Sequence, residues 1–157
     1  MAAELTPVYT LADRYVEESA ALDPISATAG GIAGHDAEMT DFSPAGIERR
    51  AAHVRATLAR LDEAPPRNER DRIAASFMRE RLSAQLALTD SGEGLRALRI
   101  IGSPLGSIRS CFDLMPRATE SDWETVAARM EKVPAALGGF HAALDAGREK
   151  GPLAARR

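Results

Sequence analysis

Three hydroxyl–proline pairs constrain this chain most, because each is typical of the start of an α-helix. They are Thr6-Pro7, Ser43-Pro44 and Ser103-Pro104. The hydroxyl accepts a hydrogen bond from a backbone N–H of the first turn, and proline at the first helical position loses no helical hydrogen bond. Apolar residues recur at helical spacing after each pair. The clearest stripe follows Ser43, with spacings of four, three, four and three residues: Ile47, Ala51, Val54, Leu58 and Leu61.

Breaks between the periodic stretches divide the chain into five to seven amphipathic helices with short links. Asp23-Pro24 ends the first helix, since a residue before proline avoids the helical conformation. A third helix is predicted from about Asn68 to Thr89, with an inner face near Ile73, Phe77, Leu82, Gln85 and Leu86. Thr119 and Asp122 resemble a capping box, Pro134 should kink or split the helix that follows, and Gly151-Pro152 should end the last one. We predict an all-α fold in which residues 1–157 form a single helical region, part of a larger helical fold.

The one long connection is glycine-rich and runs from Pro24 to Ser43. It contains Gly30, Gly31 and Gly34, and its first part, from Ile25 to Ala29, is expected to form one helical turn. Connections of about twenty residues are uncommon in compact domains. This loop is therefore expected either to be functional or to pack against a part of the protein outside the chain.

Composition excludes several classes of function. The net charge is −3 with mixed signs, and the Arg49-Arg50 and Arg156-Arg157 pairs are too short for a nucleic-acid-binding stripe. No stretch approaches the roughly 18 apolar residues of a membrane span. Met1 to Pro7 shows no signal peptide, and the single Cys111 is typical of a reducing compartment. We expect no nucleic-acid partner, no membrane and a cytoplasmic location in a bacterium.

The residue types of metal sites are present but badly placed. None of the histidines is followed by glutamate, and each lies on a different predicted element: His35, His53 and His141. A zinc site needs three or four converging ligands. The loop carboxylates Asp36, Glu38 and Asp41 lack the glycine and closing glutamate of a calcium loop, so they are interpreted as solvated, or as caps of the next elements. We predict no metal-binding residue in this chain.

The sequence also gives no support for a catalytic nucleophile or a phosphate-binding loop. Cys111 has no base near it in sequence and is interpreted as a small buried residue. Ser103 and Ser107 belong to no recognisable triad arrangement, and no Gly-Lys-Ser/Thr follows the loop glycines. Trp123, the only tryptophan, is expected to anchor neighbouring helices. We therefore predict no catalytic and no cofactor-binding residue.

Three segments taken together resemble the bacterial DUF885 family. The first is Asp23-Pro24-Ile25-Ser26-Ala27-Thr28-Ala29-Gly30-Gly31, followed by Asp36, Met39, Asp41 and Ser43. The second is Gly102-Ser103-Pro104, followed by Phe112 and Met115-Pro116. The third is Arg129-Met130-Glu131-Lys132-Val133-Pro134, followed by Leu137 and Lys150-Gly151. The resemblance runs from about Leu11 to Gly151.

The resemblance implies more than the residues themselves do. Members of this family are longer, all-helical and similar to zinc metallopeptidases, with an H-E-x-x-P-G-H type segment in the C-terminal half. No such segment occurs here, so zinc is expected only in that missing half. The resemblance then implies a non-catalytic N-terminal helical portion that forms one wall or lid of the substrate cleft. Its partner would be the missing C-terminal half.

A second hypothesis is a free-standing helical module that binds a protein partner or dimerises and has no enzymatic activity. Its apolar stripes would close on one another or form an interface. A weaker third possibility is a small-molecule pocket between helices, for which the sequence offers no convergent polar set.

Overall fold

A computed structural model describes residues 5–151 of the chain. Within that range the chain forms seven α-helices and two 3-10 turns, and no β-strand. The helices are α1 (Pro7–Leu22), α2 (Pro24–Ala29), α3 (Pro44–Glu63), α4 (Glu69–Asp90), α5 (Pro104–Ser110), α6 (Glu120–Met130) and α7 (Val133–Lys150). The 3-10 turns are Glu93–Leu95 and Cys111–Leu114. The predicted all-α fold is confirmed.

The helix starts predicted from hydroxyl–proline pairs are confirmed at all three places. The side chains of Thr6, Ser43 and Ser103 each accept a hydrogen bond from a first-turn backbone N–H, and each is followed by the expected proline. Thr119 and Asp122 form the capping box in both directions at the start of α6. These local signals needed no tertiary contact to be effective.

The effect predicted for Pro134 is also confirmed. Helix α6 ends at Met130, and α7 begins at Val133 with Pro134 in its first turn, where the missing N–H costs no helical hydrogen bond. Helix α7 ends as expected at Gly151, which adopts a left-handed φ of 99°. Pro152 and the Arg156-Arg157 pair lie outside the described residues.

The predicted inner face of α4 was wrong in its register. Ile73 and Phe77 are each 63% exposed, and Gln85 is exposed as well, whereas Leu82 is buried as predicted. The inner face instead contains the buried Asp71, which accepts a hydrogen bond from the Thr6 hydroxyl at 2.9 Å. A polar residue therefore begins the buried stripe, so hydrophobic spacing alone could not identify this face.

Two apolar clusters form the core. One joins α1, α3 and α4 through Val8, Leu11, Leu61 and Ala75. The other joins α2, α5, the second 3-10 turn and α7 through Ile25, Ile108, Cys111 and Ala136. The fold therefore has a three-helix part and a part built around the short helix α2.

Two glycines allow close approaches that fix the connections to the helices. A Cβ at Gly46 on α3 would lie 2.2 Å from the carbonyl oxygen of Asp41, and one at Gly147 on α7 would lie 2.2 Å from that of Leu95. Any side chain at either position would displace backbone. The connection before α3 and the first 3-10 turn are thus held directly against helices.

In the part of the chain that the structure describes, no helix is both long enough and apolar enough to cross a bilayer.

Candidate functional site

The 14-residue connection 30–43, here called the anchored loop, carries most of the residues that sequence analysis singled out. Gly31 and Gly34 have left-handed φ values of 70° and 91°, which explains the glycines as turn formers. Because an irregular segment cannot satisfy its own backbone groups, its polar contacts determine what the loop can do.

Arg129 on α6 is the central anchor of this loop. Its guanidinium is fully buried, and Nε donates to the carbonyl oxygen of Glu38 at 2.7 Å. Nη2 donates to the carbonyl oxygens of Pro24 and His35, both at 3.2 Å. Nη1 has no hydrogen-bond partner among residues 5–151. Arginine is suited to this position because its planar fork presents several donors at once.

Thr40 and Asp23 form a second anchor. The Thr40 hydroxyl accepts from the backbone N–H of Ile25 at 3.1 Å and donates to the Asp23 carboxylate. Asp23 also accepts from the backbone N–H and the hydroxyl of Ser26, at 3.3 and 2.7 Å, and so caps α2. The two anchors account for why this long loop packs on the helices.

The loop carboxylates each have a separate partner and do not converge. Asp36 accepts from the Thr28 hydroxyl at 2.6 Å, and Glu38 pairs with the ammonium of Lys132 at 2.6 Å. Asp41 pairs with Arg49 and accepts from the backbone N–H of Ser43 at 2.8 Å. Burial raises the pKa of Asp41, but the hydrogen bonds from Ser43 and Arg49 outweigh it and leave that pKa lowered. Glu38 and Asp41 are substantially exposed, as the solvated interpretation predicted, and each loop carboxylate also has a local partner.

The three histidines lie on different elements: His35 in the anchored loop, His53 on α3 and His141 on α7. His141 is exposed and lies 3.3 Å from the Asp145 carboxylate on its own helix. Across residues 5–151, no three His, Cys, Asp or Glu side chains lie together in a group that could hold a metal ion.

Cys111 is buried, as the sequence predicted, and Trp123 is not. The Cys111 thiol donates to the carbonyl oxygen of Ile108 at 3.2 Å, and burial raises its pKa although Arg129 partly offsets that effect. Trp123 is 54% exposed, so its predicted role as an anchor beneath neighbouring helices was wrong. Its position in the first turn of α6 points away from the core, which the sequence pattern did not reveal.

The two serines have structural roles. Ser103 caps α5, and the Ser107 hydroxyl donates back to the carbonyl oxygen of Ser103 at 3.3 Å. Both contacts are local features of a helix start.

A cleft that sequence analysis missed lies between α1, α2, α3 and α4. Its volume is about 320 Å³, within the range of small-molecule sites. The rings of Tyr15 and His53 stack on one side of it, with centroids 5.1 Å apart and planes 3° from parallel. The Tyr15 hydroxyl lies 3.4 Å from the Gln85 side-chain oxygen. These contacts join three helices around one opening.

The His53 imidazole is held at both nitrogens. Nδ1 lies 3.4 Å from the Glu18 carboxylate, and Nε2 lies 3.2 Å from the Ser19 hydroxyl. Because a carboxylate only accepts, Nδ1 carries the proton in the neutral ring and Nε2 accepts from Ser19. A hydrogen bond from Arg14 lowers the pKa of Glu18. The Ser19 hydroxyl and the Glu18 carboxylate thus lie on opposite edges of the His53 ring.

Arg50 completes the polar rim of the cleft. Its Nη1 donates to the carbonyl oxygen of Asp41 at 2.7 Å, and within residues 5–151 no carboxylate forms an ion pair with it. Burial lowers the pKa of this guanidinium, and the nearby charges of Asp23 and Asp41 partly restore it. A cationic group therefore borders a mainly apolar cleft.

The sequence contained one partial signal for this cleft. Tyr15 and Ser19 are four residues apart and so share a face of α1. Their meeting with His53, 34 residues beyond Ser19, depends on how α1 packs on α3 and could not be derived from spacing.

Large apolar side chains are exposed elsewhere. In the connection 96–103, here called the apolar segment, Ile100 is 90% and Ile101 85% exposed, with Leu98 beside them. On α4, Ile73, Phe77 and Leu88 are exposed and lie within about 60° of one another around the helix axis. Contiguous exposed apolar groups mark interaction surfaces more often than isolated ones do.

Fold and site together define the class: an all-helical protein with a loop held by a buried arginine and no assembled metal centre among residues 5–151. Residues 24–157 match the family described as "Bacterial protein of unknown function (DUF885)". The chain therefore belongs to the DUF885 family, as the sequence motifs indicated. None of the curated proteins matches it.

Proposed function

We propose that this chain is the non-catalytic N-terminal helical portion of a zinc-metallopeptidase-like DUF885 protein and forms one wall or lid of the substrate cleft. The observation that carries the proposal is the exposure of Ile100, Ile101 and Leu98 in one segment. Adjacent isoleucines with most of their surface in water cost free energy, because burial of such a side chain stabilises by about 1.5–3 kcal/mol. A second helical portion packed on the apolar segment would recover that energy.

The zinc ligands of such a protein would come from outside this chain. The residues that the structure describes do not fit a zinc ion, since no three ligand side chains lie together. In this proposal the chain supplies shape and packing, and the bond-breaking chemistry belongs to the other half. A bacterial cytoplasm is the proposed setting, supported by the family description and by the single thiol.

The alternative is a free-standing interaction or dimerisation module, and one observation favours it. Ile73, Phe77 and Leu88 form a stripe on the outer side of α4, which is the geometry of a helix-to-helix contact. The two proposals use different surfaces, so they can be separated by substitution.

The test begins with the DNA downstream of the Arg157 codon and in the adjacent genes. If that DNA encodes a histidine–glutamate zinc segment, the encoded polypeptide is produced and mixed with this chain. We expect zinc-dependent peptide cleavage that is much faster with both polypeptides than with either alone. The double variant Ile100→Ser, Ile101→Ser should weaken their association, and Ala52→Ser, on the exposed side of α3, is the matched control.

Full cleavage activity by the other polypeptide alone, or association that is unchanged in the double variant, would contradict the wall proposal. A concentration-dependent dimer of this chain that Phe77→Ser abolishes would support the alternative instead. Sedimentation equilibrium of both variants distinguishes these outcomes.

A further inference from the structure

We propose that the cleft beside Tyr15 and His53 is a binding site for a carboxylate attached to an apolar body. This site is independent of the proposed peptidase wall, because it uses neither the apolar segment nor the outer side of α4. Three features of the cleft support this proposal: its apolar lining, the remaining N–H donors of Arg50 and the hydrogen bonds that its neighbouring acceptors already make.

The lining is apolar on most of its surface and comes from several helices. Val16 and Ala20 of α1, Ala27 of α2 and Val54 of α3 all face the cleft, and three of them are buried core residues. A cleft of about 320 Å³ with such walls takes a small aliphatic or aromatic group.

The positive charge of Arg50 favours a ligand whose polar group is negatively charged. One of its nitrogens donates to the Asp41 carbonyl oxygen, whereas a guanidinium has five N–H donors. Its planar fork matches a carboxylate in bidentate geometry. Arg129, by comparison, donates to two carbonyl oxygens of the anchored loop and to that of Pro24 in α2. Arg50 is therefore the cation at this cleft with capacity for an anion.

The other polar groups at the cleft fit the same ligand. The carboxylate of Asp23 accepts three hydrogen bonds, one from Thr40 and two from Ser26, which use most of its acceptor capacity. Because its charge reduces the long-range field of Arg50, affinity should depend on short hydrogen bonds and only weakly on salt. The stacked rings of Tyr15 and His53 form one side of the cleft, and Ser19 contacts His53 at 3.2 Å.

The experiment titrates the isotope-labelled whole chain with 4-phenylbutanoate and, as a neutral match, 4-phenylbutanol. We expect amide shifts at Ser19 and Val54, and at least about tenfold tighter binding of the acid, which is the size of one charge-assisted hydrogen bond. Arg50→Gln should remove that preference while leaving the affinity for the alcohol unchanged. Arg50→Lys keeps the charge without the fork and should retain only part of the preference.

A second variant tests the cleft itself and does not touch the Arg50 contacts. Val16→Trp, at the half-exposed rim, should lower the affinity for both probes by filling the opening. Equal affinities for acid and alcohol, an acid preference that survives Arg50→Gln, or shifts confined to residues away from the cleft would each overturn the proposal. No binding of either probe at millimolar concentration would overturn it as well.

Two kinds of ligand could present this carboxylate to the cleft: a small free acid and the C-terminus of a peptide. A tripeptide ending in leucine and its C-terminal amide separate them. Tighter binding of the free tripeptide than of 4-phenylbutanoate assigns the site to a peptide end, and the reverse assigns it to a small acid. Failure of the peptidase test leaves both results unaffected, because they are read from the cleft alone.

Discussion

The anchored loop and the apolar segment are both irregular connections, but they differ in their contacts. The anchored loop is packed against the rest of the chain, whereas the apolar segment exposes its large side chains to solvent. The anchored loop packs Met39 and Phe42 against the second apolar cluster, and polar contacts of Arg129 and Thr40 tie it to the helices. The apolar segment contains Leu98, Ile100 and Ile101, all exposed. The side-chain hydrogen bonds to its backbone are at its end, from Arg99 to the Gly102 carbonyl and from Ser107 to the Ser103 carbonyl, both at 3.3 Å.

The difference shows which connection is stabilised by contacts within this chain and which is not. The anchored loop makes both hydrogen bonds and apolar contacts within this chain, and these determine its position. The segment presents apolar surface, whose favourable burial requires another molecule or another part of the protein. Four experiments test this contrast, in order of expected effect.

The largest effect is expected from Arg129→Met. The substitution removes three hydrogen bonds from a charged group, although the Pro24 and His35 carbonyl groups each keep another donor. Because hydrogen bonds to charged groups contribute about 1.5–3 kcal/mol each, we expect a loss of about 3 kcal/mol. Urea unfolding measures this change. Arg129→Lys keeps the charge but not the fork and should recover only a minor part. A loss below about 1 kcal/mol would mean that the loop is held by other contacts.

The next effect is expected from Thr40→Val, which keeps the shape and removes the hydroxyl. The backbone N–H of Ile25 and the Asp23 carboxylate both lose a partner, so the free energy of unfolding should fall by about 2 kcal/mol. Thr40→Ser retains the hydroxyl and should be close to the wild type. Similar losses in both variants would assign the effect to packing of the methyl group.

The dependence of stability on pH gives a third test, because a carboxylate with a lowered pKa lies in the anchored loop and another lies just before the apolar segment. Hydrogen bonds from Arg99 and Arg96 lower the pKa of Glu93, which precedes the apolar segment, below its usual 4.5. That of Asp41 lies below its usual 3.8. A carboxylate with a lowered folded-state pKa stabilises above its unfolded-state value, and this contribution disappears as the pH falls through the folded-state value.

We therefore expect Asp41→Asn and Glu93→Gln to be less stable than the wild type at neutral pH, with differences that vanish well below these values. Both groups are substantially exposed, so each difference should be under about 1 kcal/mol and should shrink in salt. Urea unfolding as a function of pH measures it. A difference that persists at the acid limit would show that charge is not its cause.

The smallest effect on stability is expected in the apolar segment. Ile100→Ser with Ile101→Ser should change the free energy of unfolding by no more than about 0.5 kcal/mol, because neither side chain is buried in this chain. The matched core substitution Ile108→Ser should cost several times more. A large loss in the double variant would mean that the segment packs on this chain in solution.

Sequence reasoning succeeded where the cause is local and failed where it is tertiary. The starts at Thr6, Ser43, Ser103 and Thr119 depend on residues within four positions, and all are confirmed. The face of α4 depends on Asp71 meeting Thr6, 65 residues away, and its prediction was wrong.

The candidate sites follow the same division. Arg129 was recognised only as part of a family motif, since its acceptors lie 91 to 105 residues earlier. The sequence offered a pocket between helices only as a weaker possibility, and its lining residues could not be named because they come from different helices. Only the Tyr15 and Ser19 spacing on α1 pointed towards it.

The distance along the chain between Arg129 and the anchored loop has a consequence for synthesis. The ribosome makes the N-terminus first, at about 5–20 residues per second, so the three acceptor carbonyls emerge several seconds before the arginine that binds them. During that interval α1, α2 and α3 are available to pack, while the loop between α2 and α3 has no Arg129. Closure of the loop is thus a late step in biogenesis, coupled to the arrival of α6.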